Sequence, residues 1–264
     1  MKNVLITGAA SGIGAAVSNL LLDRGFRVWG IDVSPATERQ NFKSFVADIR
    51  NEADLADIAK LIQADGIKLD AIINVAGIHC MTSLVEGDFE KIKKLIDINL
   101  CGTMLINKVF HPLLSEKGRV IIVTSEVGTF APMPFNGLYT VSKNALESYA
   151  QALRQELNLI GQKVITIRPG AIETPLSRGS VSDTDRLSKD TELYKKQAGR
   201  FSLIASKFMG KPMKAEKLAG LIHRALCAKR PRLSYAKHRN FGLVLLSILP
   251  LRWQCAIIKL LLNA

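Results

Sequence analysis

The apolar positions of this chain follow two alternating registers. Short, β-branched runs recur at 4–6, 28–31, 44–47, 69–73, 120–124 and 164–167, and longer stretches with apolar residues three or four apart lie at 15–24, 52–62, 88–114 and 138–159. Runs that are apolar throughout predict strands covered on both faces, and strands separated by amphipathic helices predict a parallel α/β sheet. The helical stretch 88–114 carries Asn99 amid Ile92, Leu95, Ile96 and Ile98. A buried amide requires a partner. Two roles follow for Asn99: to perturb the helix locally, and to hold a water that relays protons from Lys143. Residues 176–196 are polar and weakly periodic, and so long a connection beyond a sheet edge is expected to be a mobile substrate lid, bounded here at 176–205.

The strand ends carry the candidate chemistry. The first strand enters Thr7-Gly8-Ala9-Ala10-Ser11-Gly12-Ile13-Gly14 and then a helix. Glycines let such a turn approach a pyrophosphate closely, and the N–H groups of the helix N-terminus hold its charge, so Gly8, Ser11, Gly12, Ile13 and Gly14 are the expected phosphate cradle. The second strand ends at Asp32. A carboxylate there accepts hydrogen bonds from a ribose 2′-OH and repels a 2′-phosphate, which favours NAD over NADP. Asp48 and Ile49 are placed to cover the adenine. Asn74, Ala76 and Gly77 follow the fourth strand, with small residues for close approach to the cofactor and an Asn side chain to tie neighbouring strand ends. After the sixth strand, the turn containing Pro169, Gly170, Ile172 and Thr174 is expected to bond the nicotinamide carboxamide. His79 reads as a loop residue, since nothing in the sequence pairs with it.

The fifth strand ends at Ser125, and Tyr139-x-x-x-Lys143 follows. Residues four apart share a helix face, so the Lys143 ammonium is expected beside the Tyr139 phenol, lowering its pKa into the range of a general acid/base. Ser125 is placed to hydrogen-bond a substrate oxygen, with Thr124 as the fallback hydroxyl.

Composition extends this reading. At 264 residues and 48% hydrophobic content the chain supports one domain, 1–264. Its four cysteines, Cys80, Cys101, Cys227 and Cys255, have no metal-ligand spacing and suit a reducing compartment. No metal is expected. The chain passes from Met1 and Lys2 into its first strand without an apolar signal region, so a cytoplasmic protein is expected. The net charge of +13 is concentrated after Ala205, where twelve basic residues, Lys207 and Lys211 among them, face one acid, Glu216. No groove-reading motif accompanies them, so nucleic acid is not an expected partner. Within the extension 238–264 two apolar blocks are interrupted by Pro250 and Arg252. Each is too short to span a bilayer. They suit short helices that cover an apolar substrate, bury against a subunit, or lie peripherally on a membrane.

In order and spacing, the Thr7–Gly14 turn, Asn74-x-Ala76-Gly77, Asn99, Ser125, Tyr139-x3-Lys143 and Pro169-Gly170 resemble the short-chain dehydrogenase/reductase family over residues 2–174. Val75 stands where a second Asn is commoner, and the Ser125 to Tyr139 separation is one residue longer than usual, which a bulge at Pro132-Met133-Pro134 would absorb. The resemblance implies a doubly wound, seven-stranded parallel Rossmann sheet of order 3-2-1-4-5-6-7. It also implies a catalytic set of Asn99, Ser125, Tyr139 and Lys143, with Tyr139 and Lys143 also contacting the cofactor, and a homodimer or homotetramer. The wording around Tyr139 and the apolar tail look like members that oxidise lipophilic alcohols such as steroids and retinol. The expected activity is therefore NAD-dependent interconversion of a secondary alcohol and a ketone on a lipophilic substrate, with a 3-oxoacyl-thioester reductase as the alternative enzyme and a non-catalytic NAD-binding protein as the alternative of another class.

Overall fold

The computed structural model describes residues 1–208 and 212–264; Lys211 of the basic segment lies outside the described residues. Seven parallel strands form one sheet: β1 (Asn3–Thr7), β2 (Arg27–Asp32), β3 (Phe42–Val46), β4 (Leu69–Asn74), β5 (Leu114–Val123), β6 (Lys163–Pro169) and β7 (Ser234–Lys237). Their spatial order is β3-β2-β1-β4-β5-β6-β7. The central strands are buried on both faces, as their unbroken apolar runs require: Val4, Leu5, Ile6, Ala71, Ile72, Ile73 and Ile121 have no accessible surface.

Helices cover both faces. On one side α1 (Gly12–Asp23) and α8 (Ala215–Cys227) pack over Val4, Ile6, Val28, Ile73 and Ile167. On the other, α2 (Glu52–Ala64), α4 (Thr103–Phe110) and α5 (Gly137–Leu159) pack over Leu5, Ile31, Ile72 and Ile122. The doubly wound sheet leaves its carboxyl edge open, the position at which such folds bind ligands.

Four boundaries differ from the sequence reading. The stretch expected as one helix over 88–114 is α3 (Phe89–Ile96), a π-helical turn (Asp97–Gly102) and α4. β5 begins at Leu114, earlier than expected, because Ser115, Glu116 and Lys117 are polar and hide its apolar pattern. β7 carried no strand signal: Ser-Tyr-Ala-Lys is an edge strand whose exposed lysine discourages further pairing. The stretch expected as a mobile lid is regular structure, α6 (Pro175–Asp190) and α7 (Lys195–Phe208). Thr174 starts α6 through a capping box with Ser177, followed by Pro at the first helical position.

The C-terminal extension forms α9 (Phe241–Ile248) and α10 (Leu251–Asn263). Helix α10 docks on α7: Gln197 donates to Asn263 at 2.7 Å, and Leu262 packs on the cluster of Phe135, Leu187, Ala198 and Phe201.

Candidate active site

The glycine turn between β1 and α1 is fixed by backbone sterics. Gly8 and Gly12 have φ of +70° and +52°, and a Cβ on Gly14 would lie 1.9 Å from the Gly8 carbonyl oxygen. Only glycine fits at these places. Ser11 is the N-cap of α1 without using its hydroxyl for capping, which leaves a polar group and a helix N-terminus facing the groove. The Asp32 carboxylate is pinned by backbone N–H groups, accepting from Ala10 and Ser34 at 3.0 Å each. Asp32, Asp48, Ile49, Ala76, Gly77 and Thr174 line the same groove. A phosphate cradle at one place and a fixed carboxylate at the end of β2 fit a dinucleotide.

Thr7 organises this edge and carried no sequence signal beyond its place in the turn. Its hydroxyl accepts from the N–H groups of Val75 and Ala76 at 3.1 and 3.2 Å, tying the ends of β1 and β4. That task was expected of Asn74. Asn74 turns instead toward α4, donating to Asn107 at 2.9 Å.

The other residues expected to touch the cofactor have these surroundings. The Asp48 carboxylate is held by Arg50 in a bidentate pair, with Nη2 at 2.5 Å, which keeps it below its ordinary pKa. The Ile49 side chain abuts Gly102, where a Cβ would stand 2.7 Å from it. Ile172 is buried in the core against α8 rather than in the groove. Pro169 closes β6 and is buried there. Gly170 is required by packing: a Cβ would sit 1.8 Å from the His238 carbonyl oxygen. Thr174 spends its hydroxyl on the cap of α6, accepting from Ser177 at 3.2 Å.

Beyond the residues that line this groove, Ser125 stands near enough to Tyr139 to act on its phenol. The loop between them makes a left-handed turn just after the Pro132-Met133-Pro134 stretch, with Phe135 at φ +62° and the Asn136 N–H donating to the Pro134 carbonyl at 2.7 Å. Thr124, the fallback hydroxyl, faces away from the site toward Glu147 at 2.6 Å and the Ile167 carbonyl at 3.1 Å.

Lys143 is buried one helical turn below Tyr139, its Nζ 5.6 Å from the phenol ring centre and donating to the Val123 carbonyl at 3.4 Å. Burial pushes the ammonium down to about 8, against the opposing attraction of Glu147. Burial likewise pushes the Tyr139 phenol up to about 12, with the Ser125 hydrogen bond opposing. The expected lowering of the phenol by Lys143 is therefore corrected: in this geometry desolvation dominates.

Asn99 is fully buried in the π-helical turn. Its side chain grips the Ile78 backbone, accepting from N–H at 2.8 Å and donating to C=O at 2.9 Å, and also donates to Ser142 at 3.1 Å. A Cβ on Gly77 would meet Asn99 Oδ1 at 3.1 Å and Lys143 Nζ at 3.6 Å, so the groove, the amide and the lysine converge at this glycine.

His79 lies in a loop, as expected, but it does have partners, contrary to the sequence reading. Its ring lies 4.6 Å from that of Tyr139, and its Nε2 is 3.0 Å from the Asn136 side chain at the start of α5. This contact spans 57 residues, so no local pattern announces it.

The profile of the short chain dehydrogenase family matches residues 2–185. An uncharacterised oxidoreductase of Staphylococcus saprophyticus is 30% identical over 196 residues, which are 70% of this chain and 82% of that protein. The 3-ketodihydrosphingosine reductase of Bacteroides thetaiotaomicron is 28% identical over 173 residues, 65% of this chain and 64% of its own. Among solved structures, a short chain dehydrogenase family protein from Francisella tularensis superposes with a TM-score of 0.73 at 26% identity, covering 87% of this chain and 92% of that one. Because the matched span runs from β1 into α6 and contains the whole groove with its tyrosine end, the chain belongs to the short-chain dehydrogenase family, oxidoreductases that act on alcohol and carbonyl groups with a nicotinamide dinucleotide.

Proposed function

We propose that this protein is an NAD-dependent dehydrogenase or reductase that interconverts a secondary alcohol and a ketone on an apolar substrate. The observation that carries the reading is Lys143 buried one turn below Tyr139, its Nζ 5.6 Å from the phenol ring centre. A nicotinamide dinucleotide, when bound, supplies the acceptor or donor of hydride. The Tyr139 phenol exchanges the proton of the substrate hydroxyl, Ser125 orients that oxygen, and Lys143 holds positive charge beside the phenol and the cofactor ribose. Asn99 fixes the Ile78 backbone against this group. The preference for NAD rests on Asp32, whose carboxylate stands in the groove where a 2′-phosphate would meet it.

The apolar substrate class is supported by Met81, Phe135, Tyr194 and Phe201, which join the lid to the loops before and after the site. The name of the Bacteroides relative, 3-ketodihydrosphingosine reductase, agrees with this class. In the test, Tyr139→Phe is compared with wild type on steroid, fatty and sugar alcohols with NAD. Turnover should fall by roughly 100-fold or more while NAD affinity by calorimetry holds. Near-normal turnover in the variant would remove Tyr139 from the reaction.

A further inference from the structure

The C-terminal helices present an apolar surface that the rest of the chain leaves uncovered. On α9, Phe241, Leu245 and Ile248 recur at i, i+4 and i+7, one helix face, and are 73%, 50% and 73% exposed. On α10, Trp253 and Leu260 are seven apart and 64% and 70% exposed, with Leu251 and Leu261 also open to solvent. These helices are anchored. The Asn240 side chain caps α9 through Leu243 N–H at 3.2 Å, the Asn240 N–H donates to Glu126 at 2.6 Å, and Gln254 donates to the Leu249 carbonyl at 2.8 Å. An anchored helix pair with its apolar residues turned outward is a surface built to be covered.

Charge selects what covers it. No acidic residue follows Glu216, whereas Lys229, Arg230, Arg232, Lys237, Arg239, Arg252 and Lys259 all do. Arg252 and Lys259 are exposed and, at seven residues apart, form a line beside that of Trp253 and Leu260. Cations bordering an apolar stripe are the pattern of a helix lying in a lipid interface, with aliphatic and aromatic groups at the acyl boundary and ammonium or guanidinium groups at phosphates. A second copy of this surface would bring like charges together. Among the described residues no helix is long and apolar enough to cross a membrane.

We propose that α9 and α10 seat the protein on an anionic lipid bilayer, with Phe241, Ile248, Trp253 and Leu260 in the interface and Arg252 and Lys259 at lipid phosphates. This surface is distinct from the groove, so the inference stands apart from the choice of substrate.

The chain has two tryptophans, and Trp29 is 2% exposed in the core. A vesicle-dependent blue shift of tryptophan emission therefore reports on Trp253. With full-length protein, vesicles of phosphatidylcholine plus phosphatidylglycerol should shift the emission and carry the protein down on sedimentation, more weakly as salt rises. Arg252→Glu with Lys259→Glu should weaken binding by roughly tenfold or more. Phe241→Ser with Ile248→Ser should also weaken it, and both variants should keep their circular dichroism and NAD affinity. Absence of shift and co-sedimentation with the anionic vesicles would overturn the proposal. So would a blue shift that needs no lipid and grows with protein concentration alongside a dimer in sedimentation velocity, since a second copy would then occupy the surface.

Discussion

Glu147 receives two hydrogen bonds from the Arg168 guanidinium, at 2.9 Å from Nε and 2.8 Å from Nη2. The same carboxylate faces the Thr124 hydroxyl, so one side chain on α5 fastens the ends of both β5 and β6. It also stands one turn beyond Lys143, placing Tyr139, Lys143 and Glu147 along one face of the helix. Removing one partner of a buried pair costs roughly 3–5 kcal/mol, and about 2–3 kcal/mol is expected here because the Arg168 side chain stays 32% exposed. Glu147→Ala should lower stability by that amount in urea unfolding. A double-mutant cycle with Arg168→Ala should give a coupling of at least about 1 kcal/mol; additivity of the two would show that the pair contributes nothing beyond its parts.

The buried Lys143 gives stability a pH dependence of defined sign. Its folded pKa lies near 8, below the ordinary 10.5. Below pH 8 both folded and unfolded states hold the proton, and the cost of burying the charge is fully felt. Between pH 8 and 10.5 the folded state releases its proton first, the unfolded state binds more protons, and stability rises with pH. Lys143→Met lacks this term. The variant should therefore be the more stable protein at pH 7, and its advantage should shrink by on the order of 2–3 kcal/mol by pH 10, since both proteins keep Tyr139 and its titration enters both curves alike. Parallel stability curves for the two proteins across this range would contradict the burial cost.

How much of this was legible in the sequence follows from how local each signal is. The strands under both helical layers announced themselves because their residues must be apolar on both faces. The glycine turn was readable because positive φ and close approach leave one residue type at Gly8 and Gly14. Tyr139 and Lys143 were readable because i, i+4 spacing is geometry in one dimension. The contacts made across the fold were not: His79 to Tyr139, Thr7 to Val75 and Glu147 to Arg168 join residues far apart in sequence, and neither partner's neighbours reveal the pairing. Two missed features had signals. Glu147 stands four residues beyond Lys143, and Thr174-Pro175-Leu176-Ser177 carries the start of α6.

Asp32 sets the expected cofactor choice. Its two oxygens are held by the backbone at Ala10 and Ser34, so the charge has a fixed position in the groove. Asp32→Ala removes an acceptor for the ribose hydroxyl and the repulsion of a 2′-phosphate together. NAD affinity should fall by roughly tenfold, the scale of one charge-assisted hydrogen bond, while NADP affinity should rise relative to it. Titrating both cofactors against both proteins checks this, and a wild type that binds NADP more tightly than NAD would refute the assignment of Asp32.

Glu126, immediately after Ser125, is buried, yet its partner lies 114 residues away: it accepts from the Asn240 N–H at 2.6 Å. Arg239 beside it rests on the Phe130 ring at 5.0 Å, so the segment leading into α9 is latched to the loop that carries Ser125. Burial raises the Glu126 carboxyl above its ordinary value, opposed by the Asn240 hydrogen bond and by Arg239 and His238. Sign follows from that balance. A raised carboxyl favours the folded state most below its unfolded pKa and loses that contribution as pH rises through the folded value. Glu126→Gln keeps an oxygen for the Asn240 N–H and removes the charge, so at pH 7 its stability should stay within about 1 kcal/mol of wild type. Glu126→Ala takes that acceptor away and should cost about 1–3 kcal/mol. Limited trypsin digestion separates the latch from general destabilisation: Glu126→Ala should expose Arg252 and Lys259 to faster cleavage than Glu126→Gln, and equal rates would show that Glu126 does not hold the tail.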